Sequence, residues 1–292
     1  MYSLEHLKMF VESAKSGSFS ACARKLGKVQ SAVSQGIAHL EADMNRQLFD
    51  RSTRKPSLTE DGQRLLVYAE AVLRQSQELS SVVQAMDRHE EPLIRLAVDN
   101  AMLVPKFSQI LKAFGERYPA TAIEVLSMPS TDVLDYVIDN KAELGLMFTH
   151  ESFSEDVELC YIGNMPFYLV CASGHPLSSD DTLKVNDLIP HRQIMLRAAS
   201  GSMPHQLPHI SAEVWWANSF TSIQQMVEHG VGWSYLPGHL VDDAIKQGDL
   251  TRLTISIDHK AWSPPVEFIT PKNQIKGPAL SWLFGAMKEV LD

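Results

Sequence analysis

Between Leu65 and Met86 the residues Leu65, Ala69, Val72, Ser76, Leu79, Val83 and Met86 recur in alternating steps of four and three. A strict seven-residue seam held over three heptads commits this segment to one long helix that lies along another helix. Thr59 stands where an N-cap is needed, and Glu60 and Asp61 fall in the first turn, where the helix dipole favours anions. At the far end "DRHEEP" breaks the pattern and Pro92 closes it. The seam divides the 292 residues into a small unit before it and a large unit after it. Its simplest partner is the same helix of a second copy, through Leu65, Ala69, Val72, Leu79, Val83 and Met86. The alternative is an amphipathic helix that covers its own domain.

Ahead of the seam three short helices are punctuated by turn residues. Leu4, Leu7, Phe10, Val11 and Ala14 make one helix face, ended by Ser16 and Gly17. Ser18 can cap a helix through Leu26 that ends at Gly27, and Gln30 to Met44 forms a third, with Asn45 as a left-handed C-cap. Two helices around a tight glycine-containing turn predict a helix-turn-helix. "DRSTRKPSLT" is basic and turn-rich, as a hairpin wing would be.

In the third helix Val33, Ile37 and Leu40 define the inward side. Ser31, Gln35 and Ala38 therefore face outward with Ser34 beside them. A short, neutral face of this kind can enter a major groove about 12 Å wide, where Gln suits adenine and Ser serves any base. Such residues are also ordinary solvent-facing helix positions, and Gly36, on the flank, predicts close backbone packing. Charge favours the nucleic-acid reading. Residues 1–56 carry nine Lys and Arg against five Asp and Glu, net +4, whereas the remainder is net −13 within a whole of −9. Lys25, Lys28, Arg51, Arg54 and Lys55 bracket the third helix and are placed to hold phosphates.

The matching residues Phe10, "GSFSACARKL", "QSAVSQGIAHLE", "LFDR" and "LTEDG" resemble the DNA-binding signature of LysR-type transcriptional regulators over about sixty residues. Gln35 and Asn45 depart from that pattern, which commonly has a basic residue and a Gly there. The resemblance implies an α/β protein in three parts. These are a winged helix-turn-helix over 1–58, a linker and dimerisation helix over 59–91, and an effector-binding domain over 92–292 like type 2 periplasmic binding proteins. Its first lobe would span about 92–162 and 266–292, and its second about 163–265. Gln30, Ser31, Ser34 and Gln35 would read bases, while Lys28, Arg51, Thr53, Arg54 and Lys55 hold the backbone of double-stranded DNA at an interrupted dyad. The implied assembly is a homodimer, paired into a homotetramer. Contact with RNA polymerase is compatible with this plan.

Beyond Pro92, short β-rich runs such as "LIRLAV", "ELGLMF", "FYLVCA" and "GWSYLP" alternate with helical stretches, predicting an α/β domain with a largely parallel sheet. No internal repeat shows in the sequence. The resemblance implies a small-molecule effector in the cleft between the lobes, on loops that follow strand ends. The matching positions are Asp99, Asn100, Ala101 and Met102; Ser130 and Thr131; Thr149; Arg197; and Asn218, Ser219 and Phe220. Ser, Thr and Asn at helix starts can hold an anionic group, which points to carboxylates. They can equally be plain helix caps, and Arg197 can form an ordinary salt bridge.

Other chemistries have less support. The chain has no GxSxG, Walker loop or HExxH, and "GVGWSY" lacks the third glycine of a dinucleotide fingerprint, so no enzyme is expected and no cofactor or metal is assigned. His205 and His209 share a proline-rich stretch, Arg197 to His209, without a third ligand. A metal- or redox-responsive regulator of the same plan is the alternative: Cys160 and Cys171 flank the expected lobe crossover, but they lie in apolar strand patterns, where a buried Cys is ordinarily inert. With no apolar run near 20 residues and no leader pattern at the start, the expected location is the cytoplasm.

Overall fold

The computed structural model describes residues 2–52, 56–149, 155–198, 207–256 and 260–292, which divide into two compact units, Met1–Met86 and Asp87–Asp292. In the first unit, helices α1 (Leu4–Ser16), α2 (Phe19–Leu26) and α3 (Gln30–Met44) are followed by an antiparallel pair, β1 (Phe49–Asp50) with β2 (Ser57–Leu58), and by α4 (Glu60–Asp87). The Ser18 hydroxyl accepts the Ala21 N–H and caps α2, and Gly27 turns the chain into α3 at φ 63°, a left-handed conformation that a Cβ would penalise. Phe10, Val33, Ile37 and Leu40 are fully buried between the helices, each contributing about 1.5–3 kcal/mol. Gly36 is the contact point of α3 with α1, since a Cβ there would run into the Met9 side chain.

The wing is fastened from α3. The Glu41 carboxylate accepts the Leu48 and Phe49 N–H groups at 2.8 and 3.2 Å and pairs with Arg51 at 2.9 Å. Thr59 caps α4 by accepting the Gly62 N–H at 2.9 Å, while its own hydroxyl donates to the Gln47 carbonyl at 2.6 Å. Gly62 lies against the Leu48 backbone so closely that no side chain fits there. The seven-residue seam of α4 divides in two. Leu65 and Ala69 pack into the first unit's own core, whereas Val72, Leu79, Val83 and Met86 remain 46–71% exposed.

The second unit contains two five-stranded sheets. The first, in order β4-β3-β5-β12-β6, comprises β3 (Leu93–Asp99), β4 (Ala122–Met128), β5 (Leu144–Phe148), β6 (Val157–Asn164) and β12 (Pro265–Pro271). The second, in order β11-β7-β10-β8-β9, comprises β7 (Phe167–Ala172), β8 (Gln193–Leu196), β9 (Val214–Ala217), β10 (Trp233–Pro237) and β11 (Leu250–Arg252). Read from the other end, the second order repeats the first strand for strand, a duplication invisible in the sequence. Helices α5 (Pro105–Arg117), α6 (Ser130–Ile138) and α10 (Pro278–Met287) belong with the first sheet, and α7 (Val185–Leu188), α8 (Phe220–Glu228) and α9 (Gly238–Gln247) with the second.

Neither sheet is all parallel: β12 runs against β5 and β6, and β7 against β10 and β11. The reason is the double crossover. β7 begins at Phe167 opposite Pro237, the last residue of β10, so it enters at the end where the parallel strands leave and must run the other way. β12 does the same opposite Asn164 and Phe148. The crossover segments bond to each other, with the Phe167 N–H donating to the Trp262 carbonyl at 2.8 Å.

Candidate DNA interface and effector cleft

On α3, Gln30, Ser31, Gln35 and Ala38 are exposed and Ser34 is half-buried, while Val33, Gly36, Ile37 and Leu40 face the core. The helix is thus split along its length into a packed face and a thin polar one. The Gln30 side chain accepts from the Ser20 hydroxyl at 2.7 Å, which ties the start of α3 to α2. Of the bracketing cations, Lys25 pairs with Glu12 at 2.8 Å, Lys28 with Glu5 at 2.5 Å and Arg51 with Glu41 at 2.9 Å. The Lys28 ammonium, by hydrogen bond and charge, holds the Glu5 carboxyl below its ordinary range. Such surface pairs are worth little, so a phosphate can displace the acid. Thr53, Arg54 and Lys55 lie outside the described residues.

In the second unit the named cleft positions gather at the ends of β3, β5, β8 and β9 and at the starts of α6 and α8. Asn100 spans the two lobes: its Nδ2 donates to the Asn218 carbonyl at 3.1 Å, and its Oδ1 accepts from Ser127 at 2.5 Å. Ser219 caps α8 by accepting the Ser222 N–H at 3.2 Å. Arg197, exposed at the end of β8, holds its guanidinium 5.7 Å from the Trp216 ring. Thr131 and Thr149 are half-buried beside these groups. Ala101, Met102 and Phe220 are buried in the core and offer a ligand little but backbone.

Asp99 is different. Its carboxylate is 1% exposed; one oxygen accepts the Ala101 N–H at 2.9 Å and the other the Ser130 hydroxyl at 2.5 Å. The Ser130 N–H also bonds to this carboxylate, and the Ser130 oxygen in turn accepts the Phe148 N–H at 3.0 Å. Burial pushes the Asp99 carboxyl up to about 6 despite these bonds. Ser130 is therefore not the cap of α6 but its first residue, and the cap is supplied by Asp99 from another strand. Below it, Phe148 and Phe220 each pack against Phe167 at 5.5 Å between centroids, giving the crossover an aromatic floor.

Sequence reasoning missed Glu41, the internal use of Asp99, and Glu91, whose carboxylate accepts the Ala279 and Leu280 N–H groups at the start of α10 at 3.1 and 3.3 Å. Only Glu41 carried a signal, as the last residue of "QSAVSQGIAHLE" in the final turns of α3, shortly before "LFDR". The alternative sensors gain no support. Burial pushes the Cys171 thiol up to about 11, far from a reactive thiolate, and Cys160 and Cys171 sit in different sheets. His205 lies outside the described residues, and among the described ones no His, Cys, Asp and Glu cluster could hold a metal.

A winged helix-turn-helix with an exposed reading helix, joined through a long helix to a two-lobed α/β ligand-binding unit, defines a DNA-binding regulator controlled by a ligand. Residues 4–63 match the profile of bacterial regulatory helix-turn-helix proteins of the lysR family, and residues 87–292 match the LysR substrate binding domain. The chain belongs to the LysR family of transcriptional regulators, and no enzymatic role attaches to it. It is 30% identical over 233 residues to the transcriptional regulator AceR of Acinetobacter baumannii, covering 80% of this chain and 78% of that one. Full-length BenM matches in structure with a TM-score of 0.57 at 19% identity, over 99% of this chain and 96% of that one. CrgA of Neisseria meningitidis matches with a TM-score of 0.55 at 21% identity, over 99% of each chain.

Proposed function

We propose that this regulator binds an interrupted dyad in double-stranded DNA as a homodimer, further paired into a homotetramer, and that a small molecule in the cleft between its lobes sets its activity. The single observation that carries the DNA reading is the split of α3, with Ser31, Gln35 and Ala38 outward and cations on both flanks. Gln30, Ser31, Ser34 and Gln35 face the base edges. Lys28, Arg51, Thr53, Arg54 and Lys55 hold the phosphates, so that a chain of net charge −9 meets DNA through one cationic end.

The exposed stripe Val72, Leu79, Val83 and Met86 supports dimerisation, because an apolar row of this length costs free energy until a second helix covers it. Leu65 and Ala69 contribute indirectly, by fixing the start of α4 on the DNA-binding unit. Two reading helices held by one dimer require two half-sites at a fixed spacing. In the cleft, Asn100 and Asn218 already join the lobes, so a ligand that closes or opens them acts on a formed contact. It shifts the protein only through unequal affinity for the two arrangements. No helix among the described residues is long and apolar enough to cross a membrane, which is compatible with a cytoplasmic regulator. Selection of bound sites from a random DNA pool tests the proposal: two inverted half-sites are expected, and a single unrepeated site refutes the dyad.

A further inference from the structure

A glutamine reads adenine with both ends of its amide: the carbonyl oxygen accepts from adenine N6 while the amide nitrogen donates to N7. Gln35 is equipped for this, since among the described residues no hydrogen bond engages its side chain. Gln30 is not. Its carbonyl oxygen already accepts the Ser20 hydroxyl at 2.7 Å, and among the described residues nothing accepts from its amide nitrogen. Gln30 therefore meets a base edge with donors alone.

The bond is built into the helix-turn-helix. Ser20 stands in the first turn of α2, whose Cys22 and Ala23 are buried, and Gln30 opens α3, whose Val33 and Ile37 are buried. The turn between the helices is fixed by Gly27 at φ 63° and by the Lys28 N–H, which donates to the Ala23 carbonyl at 2.8 Å. Two packed helices thus bring the half-buried Ser20 and the exposed Gln30 together. Freeing the carbonyl for adenine would break this bond just as the groove fills and the water that could replace it leaves.

Donors alone discriminate among base edges. In the major groove guanine presents the acceptors N7 and O6, and thymine presents the acceptor O4. Cytosine offers only its N4 donor, which an N–H cannot pair with, and the two-point contact to adenine needs the carbonyl that Ser20 holds. We infer that Gln30 donates to guanine or thymine instead of reading adenine, and that Ser20 is the positioning residue that sets this choice. This inference rests on α3 being the reading helix. Two glutamines on one helix then read differently, because α2 holds one of them and leaves the other free.

The test is site selection from a random DNA pool with the full-length wild type, Gln30→Ala, Ser20→Ala and Ser20→Thr. Wild-type affinity is then measured on the selected site with a 7-deaza purine, which has carbon in place of N7, at the position that Gln30→Ala alters. A wrong base at a read position lowers affinity roughly 5- to 150-fold. That discrimination should vanish in Gln30→Ala. In Ser20→Ala it should weaken and admit adenine, with an unchanged circular dichroism spectrum, because alanine suits a helix better than serine. Ser20→Thr keeps the hydroxyl and should keep the wild-type preference.

The 7-deaza arm needs no variant of Ser20. A G·C pair at this position should bind more weakly when guanine lacks N7, whereas an A·T pair should be indifferent to the loss of adenine N7, because thymine O4 is the atom contacted. An A·T pair weakened by that loss, or a G·C pair indifferent to it, overturns the inference. So does a Ser20→Ala protein that selects as the wild type does. Each of these results leaves α3 as the reading helix. If Gln30→Ala alters no position, Gln30 is not a base reader, and the inference falls together with that part of the reading.

Discussion

Replacing Ser130 by alanine removes one oxygen and breaks two bonds that join three strand and helix ends. The hydroxyl bond to Asp99 at 2.5 Å involves an ionised partner when the carboxyl is charged, and such bonds contribute about 1.5–3 kcal/mol. The Phe148 N–H, at the end of a strand buried throughout, loses its acceptor, for about 1–3 kcal/mol more. The sum, about 4 kcal/mol, is moderated because Asp99 can take up a proton once its donor is gone. All five tryptophans, Trp215, Trp216, Trp233, Trp262 and Trp282, lie in the second unit, so their fluorescence during urea unfolding of the whole chain reports on that unit alone. With a slope near 2 kcal/mol/M, the midpoint should fall by about 2 M. Ser130→Thr keeps the hydroxyl and should recover most of the loss. The double variant Asp99→Asn, Ser130→Ala should be less destabilised than the two single changes added together, since both break one bond. A loss below about 1 kcal/mol in Ser130→Ala, or strict additivity, refutes the bridging role.

The remaining predictions concern charge, the wing and the long helix. Because burial raises the Asp99 carboxyl to about 6 from 3.8, the folded state holds this proton more tightly than the unfolded chain. The stability it contributes is full below about pH 4 and is lost as pH rises through 6, a swing of about 3 kcal/mol. Wild type should therefore lose ground against Asp99→Asn in urea unfolding between pH 4 and pH 7, and parallel curves would contradict this. Glu41→Ala strips acceptors from the Leu48 and Phe49 N–H groups and should cost the DNA-binding unit about 2 kcal/mol, seen as a lower midpoint in its amide hydrogen exchange. Leu79→Glu with Val83→Glu puts charges into the exposed stripe; sedimentation velocity should show monomers for this variant and the proposed dimer for the wild type, with an unaltered circular dichroism spectrum.

Much of the first unit was legible because its signals are local. Ser18, Gly27, Asn45 and Thr59 each mark a helix end by what one residue can do, and the elements fall where these residues put them. The outward set Ser31, Gln35 and Ala38 followed from helical geometry alone. What depended on distant pairing was not legible. That β7 and β12 run against their sheets follows from the crossovers, and residue patterns carry no strand direction. Asp99 looked like one more loop residue, yet it is the cap of a helix 31 positions on, and Glu91 caps one 188 positions on. The donors that made Ser130 look like an anion site are the ones Asp99 consumes. The seam of α4 read as uniform, but a heptad pattern does not distinguish packing on the chain's own core, as at Leu65 and Ala69, from packing on a partner.

The central claim is that α3 reads bases while flanking cations hold phosphates, and parallel site selection on three proteins tests it most directly. Wild type, Gln35→Ala and Arg51→Ala are each used to enrich bound DNA from a random pool, with affinity for the preferred site measured against salt. Gln35→Ala should change the preferred bases at one position of each half-site and keep the salt slope. Arg51→Ala should keep the preferred sequence, bind all sites more weakly, and lower the salt slope by about one. If Gln35→Ala selects the same sequence as wild type while Arg51→Ala selects a different one, α3 is not the reading helix and the account is wrong at its centre.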